Sequence, residues 1–134
     1  GNTLQHQFVH IGKDGWYRND TATFDLPAAT FEGRHAVETE IRTVCPFQYQ
    51  RLYVVRELML QTPLMACKDT ICIETAGSPS TYNEKGVTLR CYSHSDSTLL
   101  LKEGQKGQMK IYHIMSREVL PHITDIGIKV RTIR

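Results

Sequence analysis

Few residues in this chain have the types and spacing to do chemistry. His94, Ser95 and Asp96 stand side by side, the nearest approach to acid–base machinery and close enough to form a polar pair. Short runs of this kind at turns mostly satisfy backbone groups, and this one is read in that way. Glu38 and Glu40 share a strand face about 7 Å apart by the two-residue repeat, a separation that a glycosidase could use. Acidic pairs on a wetted strand face are commonplace, so these two read as surface. The six histidines, at positions 6, 10, 35, 94, 113 and 122, have no spacing that commits to a metal. Four cysteines (Cys45, Cys67, Cys72 and Cys91) match no zinc pattern either. They read as free thiols, with Cys72 and Cys91 as small buried hydrophobes inside strand-like runs. No Gly-x-Ser-x-Gly elbow, phosphate-cradling glycine loop or His-Glu-x-x-His occurs. The expectation is a protein that is not an enzyme and carries no cofactor or metal.

Binding chemistry has better candidates. Trp16 follows Lys13-Asp14-Gly15 at a turn leading into a strand, where an aromatic can stack on a partner or a sugar. More often such a Trp closes the end of a core with its indole N–H bonded to a loop carbonyl, and that role is preferred. Tyr49, Tyr53 and Tyr82 could join an interaction face, although nothing in the sequence brings them together. Arg117 and Asp125 bracket a polar turn. They are either a partner-recognition surface or a clamp in which Asp125 accepts turn N–H groups or pairs with Arg117 or Arg42. The clamp is the stronger reading.

The elements that must position these groups are strands almost throughout. Ala22, Phe24 and Leu26 alternate with Thr23 and Asp25, and Pro27 closes the run. Val37, Thr39, Ile41 and Thr43 alternate with Glu38, Glu40 and Arg42, one buried face and one wetted. Residues 51–61 read as a strand buried on both faces, with Arg56 interrupting the apolar side. Ile71 and Ile73 form a short strand, Val87, Leu89 and Cys91 another, and Leu99 to Leu101 lead into a glycine-containing connector at 102–107. Met109, Ile111, His113 and Met115 share a face, as do Ile126, Ile128 and Val130. About nine short strands without βα alternation predict a single all-β domain over residues 1–134. Its expected form is an antiparallel sandwich of jelly-roll type.

Composition narrows the partners. A formal charge of +2, with sixteen Lys and Arg scattered along the chain, gives no basic stripe for nucleic acid. No run of eighteen apolar residues could cross a membrane as a helix. The opening Gly-Asn-Thr-Leu-Gln-His has neither the basic region nor the apolar core of a signal peptide. Gly1 reads as a remnant of tag cleavage.

Three blocks together resemble one family. The first is Phe8-Val9-His10-Ile11 followed by Gly15-Trp16-Tyr17-Arg18-Asn19-Asp20-Thr21-Ala22-Thr23-Phe24. The second runs from Ile41-Arg42-Thr43 through Pro46-Phe47 to Leu52-Tyr53-Val54, with Asp69-Thr70 opening the next strand. The third is the segment 113–130, His-Ile-Met-Ser-Arg-Glu-Val-Leu-Pro-His-Ile-Thr-Asp-Ile-Gly-Ile-Lys-Val. In this order they are similar to the gliding-motility lipoprotein H (GldH) family of the Bacteroidetes, whose C-terminal block is a Met-Arg-x-x-x-Leu-x-x-Ile-x-Asp-Val-Gly-like pattern. The chain departs from it at 76–98, where Ser78-Pro79-Ser80-Thr81-Tyr82 stands in place of a Gly-rich turn with a Trp. It departs again at His122, where a small residue, often Gly, is usual.

The resemblance implies a lipoprotein anchored by an N-terminal acylated cysteine that lies outside this sequence, facing the periplasm. It implies a non-catalytic role, scaffolding or stabilising a motility- or secretion-associated envelope assembly, with other envelope proteins and the membrane as partners. The alternative is a carbohydrate-binding sandwich module using Trp16 and exposed tyrosines.

Overall fold

The alternating runs become strands because each can bury one face, and the buried faces decide how the sheets stack. The computed structural model describes residues 2–133, so the reading of Gly1 falls outside it. The strands are β1 (Thr3–His10), β2 (Trp16–Tyr17), β3 (Ala22–Leu26), β4 (Gly33–Thr43), β5 (Arg51–Gln61) and β6 (Met65–Glu74). They continue as β7 (Ser80–Glu84), β8 (Val87–Leu101), β9 (Lys106–His113), β10 (Val119–Leu120) and β11 (Ile123–Thr132). One sheet has the order β1-β11-β4-β8-β7, the other β3-β9-β5-β6, and β2 pairs with β10 in a two-stranded ribbon. Every pairing is antiparallel. The chain passes repeatedly from one sheet to the other, so the fold is the expected all-β antiparallel sandwich.

Val37, Thr39 and Ile41 of β4 and Ile126, Ile128 and Val130 of β11 face inward from the first sheet. Leu52, Val54 and Leu60 of β5 and Met109 and Ile111 of β9 meet them from the second. Each such side chain contributes roughly 1.5–3 kcal/mol on burial. Three local readings change. β5 is buried on its even face only: Tyr53 and Met59 on the odd face are exposed, and Val55 alone is covered there. The two runs at 87–91 and 99–101 are one strand, β8. Between Asp96 and Leu99 its register slips against His35 and Val37, and this bulge exchanges the two faces. The four thiols are free as expected, but none is fully buried and Cys67 is exposed.

The outer face of the first sheet is less wet than its alternation suggests. Arg42, on the central strand, lies with its guanidinium carbon 3.4 Å from the Phe8 ring centroid and 5.1 Å from that of Tyr82. One guanidinium thereby ties the two edge strands β1 and β7 to the middle of the sheet. Phe8 reaches it by lying across Gly127 of β11, where any Cβ would fall about 2.6 Å from the ring's Cδ1. The glycine of the Asp125-Ile126-Gly127 run is thus a gap for an aromatic ring.

His122 is one of three non-glycine residues with positive φ among the described residues, at 72°. It is exposed and precedes the buried Ile123 that opens β11. A left-handed conformation costs an L-residue roughly 1–2 kcal/mol, a cost that a glycine would not bear. We expect His122→Gly to raise stability by about 0.5–1 kcal/mol once the glycine's extra unfolded-state freedom is deducted. An unchanged or lower urea midpoint would contradict this.

Candidate functional site

The segment 114–118 between β9 and β10 lacks regular structure, yet its backbone is held from several sides. His113, the last residue of β9, is fully buried. Its Nε2 lies 3.1 Å from the Trp16 carbonyl and 3.0 Å from the Glu118 carbonyl, while its Nδ1 accepts the Met115 N–H at 3.2 Å. One neutral tautomer, protonated on Nε2, satisfies all three partners. Burial holds the imidazole below its usual pKa, the two carbonyls pull the other way, and the nearby Arg18 charge adds to the lowering.

Arg18 completes the grip. Its guanidinium donates to the Met115 carbonyl (Nε 3.2 Å, Nη2 3.0 Å) and to the Ser116 carbonyl (Nη2 2.6 Å). Its own N–H bonds the Glu118 carbonyl at 2.8 Å. Trp16 supplies the wall: it is 0 % exposed, and its ring meets His113 edge-on at 5.2 Å and 68°. The indole N–H donates to the Asp20 carbonyl at 2.8 Å. This is the closing role expected of Trp16, and a fully buried indole cannot stack on a sugar or a partner. Gly15, at φ 103°, starts this arrangement; a Cβ there would meet the Leu120 carbonyl oxygen at 2.6 Å.

The clamp expected between Arg117 and Asp125 does not form. Arg117 is exposed, with no ion pair or side-chain hydrogen bond among the described residues. By Asp125 the chain is already inside β11, in register with His10 and Arg42. There the carboxylate accepts the Thr124 hydroxyl at 2.8 Å and lies 3.4 Å from His10 Nδ1. Arg18 and His113 do the work assigned to that pair. Both carried a signal in the sequence: Arg18 sits two residues after the only Trp, and His113 continues an apolar strand face.

The second polar cluster lies between the sheets. Arg56 points inward from β5, with Nη1 2.9 Å from Thr39 Oγ1 and Nη2 2.8 Å from Asp96 Oδ2. Asp96 also lies 3.8 Å from His94 Nδ1 and 3.4 Å from Thr98 Oγ1. The His94-Ser95-Asp96 run is therefore in mid-strand rather than at a turn, and its two titratable members face the interior opposite Thr39 and Val37. A cleft of about 230 Å³, bordered by Arg56, Asp69, Thr98 and Met65, opens beside it. Asp96 is occupied by Arg56, and Ser95 points to the other face, so the trio is not assembled.

Glu38 and Glu40 do share an outer face. Glu40 is buried there, 3.2 Å from His6 Nε2 and 3.4 Å from Cys91 Sγ. Burial and that carboxylate push the Cys91 thiol up to about 12, so it stays protonated and unreactive. Tyr53 lies on the outer face of the second sheet, Tyr82 on that of the first, and Tyr49 packs on the core, so these tyrosines form no common surface. Among the described residues no three His, Cys, Asp or Glu side chains are placed to hold a metal ion. No helix is long and apolar enough to cross a membrane.

Residues 3–130 match the model of a family described as GldH lipoprotein. No curated protein matches the chain. Among solved structures, CBM27-1 of Caldicellulosiruptor saccharolyticus, determined in complex with mannohexaose, is similar at a TM-score of 0.45 and 9 % identity. That alignment covers 92 % of this chain and 71 % of the other.

Proposed function

Because the chain belongs to the GldH lipoprotein family, we propose that it is a non-catalytic, lipid-anchored module of the cell envelope. In this reading it faces the periplasm and docks another envelope protein at the 114–118 corner, scaffolding or stabilising a motility- or secretion-associated assembly. The observation that carries the proposal is the contrast between the corner's backbone and its side chains. His113 from the core and the exposed Arg18 from the surface fix its carbonyls, far beyond what a connector between β9 and β10 requires. Ile114, Arg117 and Glu118 face solvent, and the exposed Tyr17 and Tyr53 border the same segment through its backbone pairings. A surface fixed before binding loses little entropy on binding. Tyrosine and arginine are the residue types that most often carry interface energy.

Affinity purification from gently solubilised native membranes, with proximity cross-linking from a photoreactive residue at position 114, tests this. The wild-type domain should retain one or more envelope proteins cross-linked at the corner. Arg117→Glu should weaken that association by about 30-fold, the equivalent of a hot-spot loss of about 2 kcal/mol, with no change in unfolding midpoint. Recovery of no envelope protein, or equal recovery with Arg117→Glu, would overturn the reading.

A further inference from the structure

The two large sheets end in the edge strands β1, β7, β3 and β6, and the first three are protected against further pairing. β3 has five residues, is followed by Pro27, and its Asp25 carbonyl accepts the Gln5 amide of β1 at 2.9 Å. β1 slips register between Thr3 and Gln5, and β7 has five residues. β8 is unpaired on one side beyond Cys91, and there it carries the Asp96–Leu99 bulge. β6 has none of these devices. It runs ten residues in unbroken register with β5, and Ala66 to Thr70 are all exposed. Its single lysine, Lys68, is drawn back to Glu57 of β5 at 3.3 Å instead of guarding the edge.

Alternation fixes which main-chain groups that edge presents. The Tyr53 carbonyl accepts the Ile114 N–H at 3.0 Å, and the Tyr53 N–H points to Met115 Sδ at 3.4 Å. The odd residues of β5 therefore turn their main chain toward β9, and their partners Thr70, Lys68 and Ala66 turn N–H and C=O away from β5. None of these groups has a main-chain partner among the described residues. Another extended chain matches donors and acceptors at that repeat.

The alternate side chains define the chemistry of such a chain. Met65, Cys67 and Asp69 turn into the inter-sheet cleft of about 230 Å³, which is floored by Leu58, Leu99 and Met109. Leu100, 66 % exposed, forms the far lip. Arg56 in the cleft wall is matched by Asp96 at 2.8 Å, which leaves Asp69 as the unmatched charge. Its carboxylate accepts the Cys67 thiol at 3.2 Å and has no ion pair among the described residues.

We infer that the β6 edge pairs with an extended segment of a partner protein, which adds a strand to the second sheet. Antiparallel pairing, the more stable sense, sets a lysine or arginine opposite Asp69. Aliphatic residues then stand opposite Cys67 and Met65 and fill the cleft. The edge is separate from the 114–118 corner and stands or falls independently of the docking role.

Fluorescence anisotropy with the labelled heptapeptide Thr-Lys-Thr-Val-Thr-Leu-Thr tests the inference. The domain should bind it about tenfold more tightly than relatives with glutamate for lysine or proline for valine. Asp69→Lys should reverse the preference between the lysine and glutamate peptides, a result that unfolding cannot produce. Thr70→Pro removes an outward N–H and spares the β5–β6 ladder, so it should weaken binding about tenfold with no change in thermal midpoint. Arg117→Glu at the corner should leave peptide affinity unchanged. Absence of binding up to about 1 mM peptide, equal affinity for the lysine and glutamate peptides, or binding that survives Thr70→Pro would overturn the inference. Self-association of the domain that Thr70→Pro abolishes would do so too, because the occupant would then be a second copy of this chain.

Discussion

Asp96→Ala should destabilise the domain by roughly 3 kcal/mol, the lower end of the 3–5 kcal/mol expected when one member of a buried ion pair is removed. Arg56 reaches from one sheet to the other, and its partners Thr39 and Asp96 both belong to the opposite layer. The side chains of Arg56 and Asp96 are 8 % and 19 % exposed, so the guanidinium has little water to fall back on when its carboxylate is lost. The 19 % of the Asp96 side chain that stays exposed is what places the effect at the lower end. Replacing both partners with apolar residues, as in Arg56→Met with Asp96→Leu, should recover most of the loss, because no buried charge then remains unpaired. Equilibrium urea unfolding of Arg56→Met, Asp96→Leu and the double variant closes the cycle, with Asp96→Ala measured beside it. A single-variant loss below about 1 kcal/mol would mean that water reaches the pair freely, as at a surface bridge.

His113→Phe should cost on the order of 2–3 kcal/mol and loosen the 114–118 corner. The ring volume is kept, but the Met115 N–H loses its acceptor and two carbonyls lose a donor. Glu118 still accepts from the Arg18 N–H, which limits the damage. The same histidine makes stability depend on pH in a defined direction. Burial depresses its pKa in the fold, while in the unfolded chain it titrates near the ordinary value of about 6.5. Below that value the unfolded chain takes up a proton that the folded chain refuses. The stabilisation is therefore complete above about pH 6.5 and is lost as pH falls toward the lowered folded value. The stability difference between wild type and His113→Phe should shrink from about pH 7.5 to about pH 5.5. A difference that stays constant or grows would show that His113 is not held neutral.

Alternation made most of the sandwich legible, because a strand with one buried face writes its environment directly into residue order. The inward faces of β4, β9 and β11 were readable for that reason. β8 was not, since its bulge at Asp96–Leu99 exchanges inside and outside midway and makes one strand look like two. The first half of β6 was not either: from Ala66 to Thr70 it is an exposed edge strand, with no burial to impose a pattern. At the sites, local chemistry was readable and partnership was not. The Trp16 indole bonds a carbonyl four residues away, and that contact could be anticipated. Arg18 meets Met115 across 97 residues and Arg56 meets Asp96 across 40, and spacing along the chain carries no trace of either. Arg117 is nearer in sequence to the turn, yet Arg18 is the residue that holds it.

β1 gives the molecule a direction for force. At its start Asn2 exchanges hydrogen bonds with Thr132. At its finish, about 26 Å from its start along eight residues, Ile11 bonds Thr124. A load applied at Asn2 and resisted at Ile11 runs along the strand axis, so it meets the whole β1–β11 ladder in shear instead of opening it one rung at a time. The Phe8–Arg42 stack and the flanking His6–Glu40 and His10–Asp125 contacts act as lateral pegs against that slide. Pulled between these two points, the domain should yield as a stiff strut with one high rupture force.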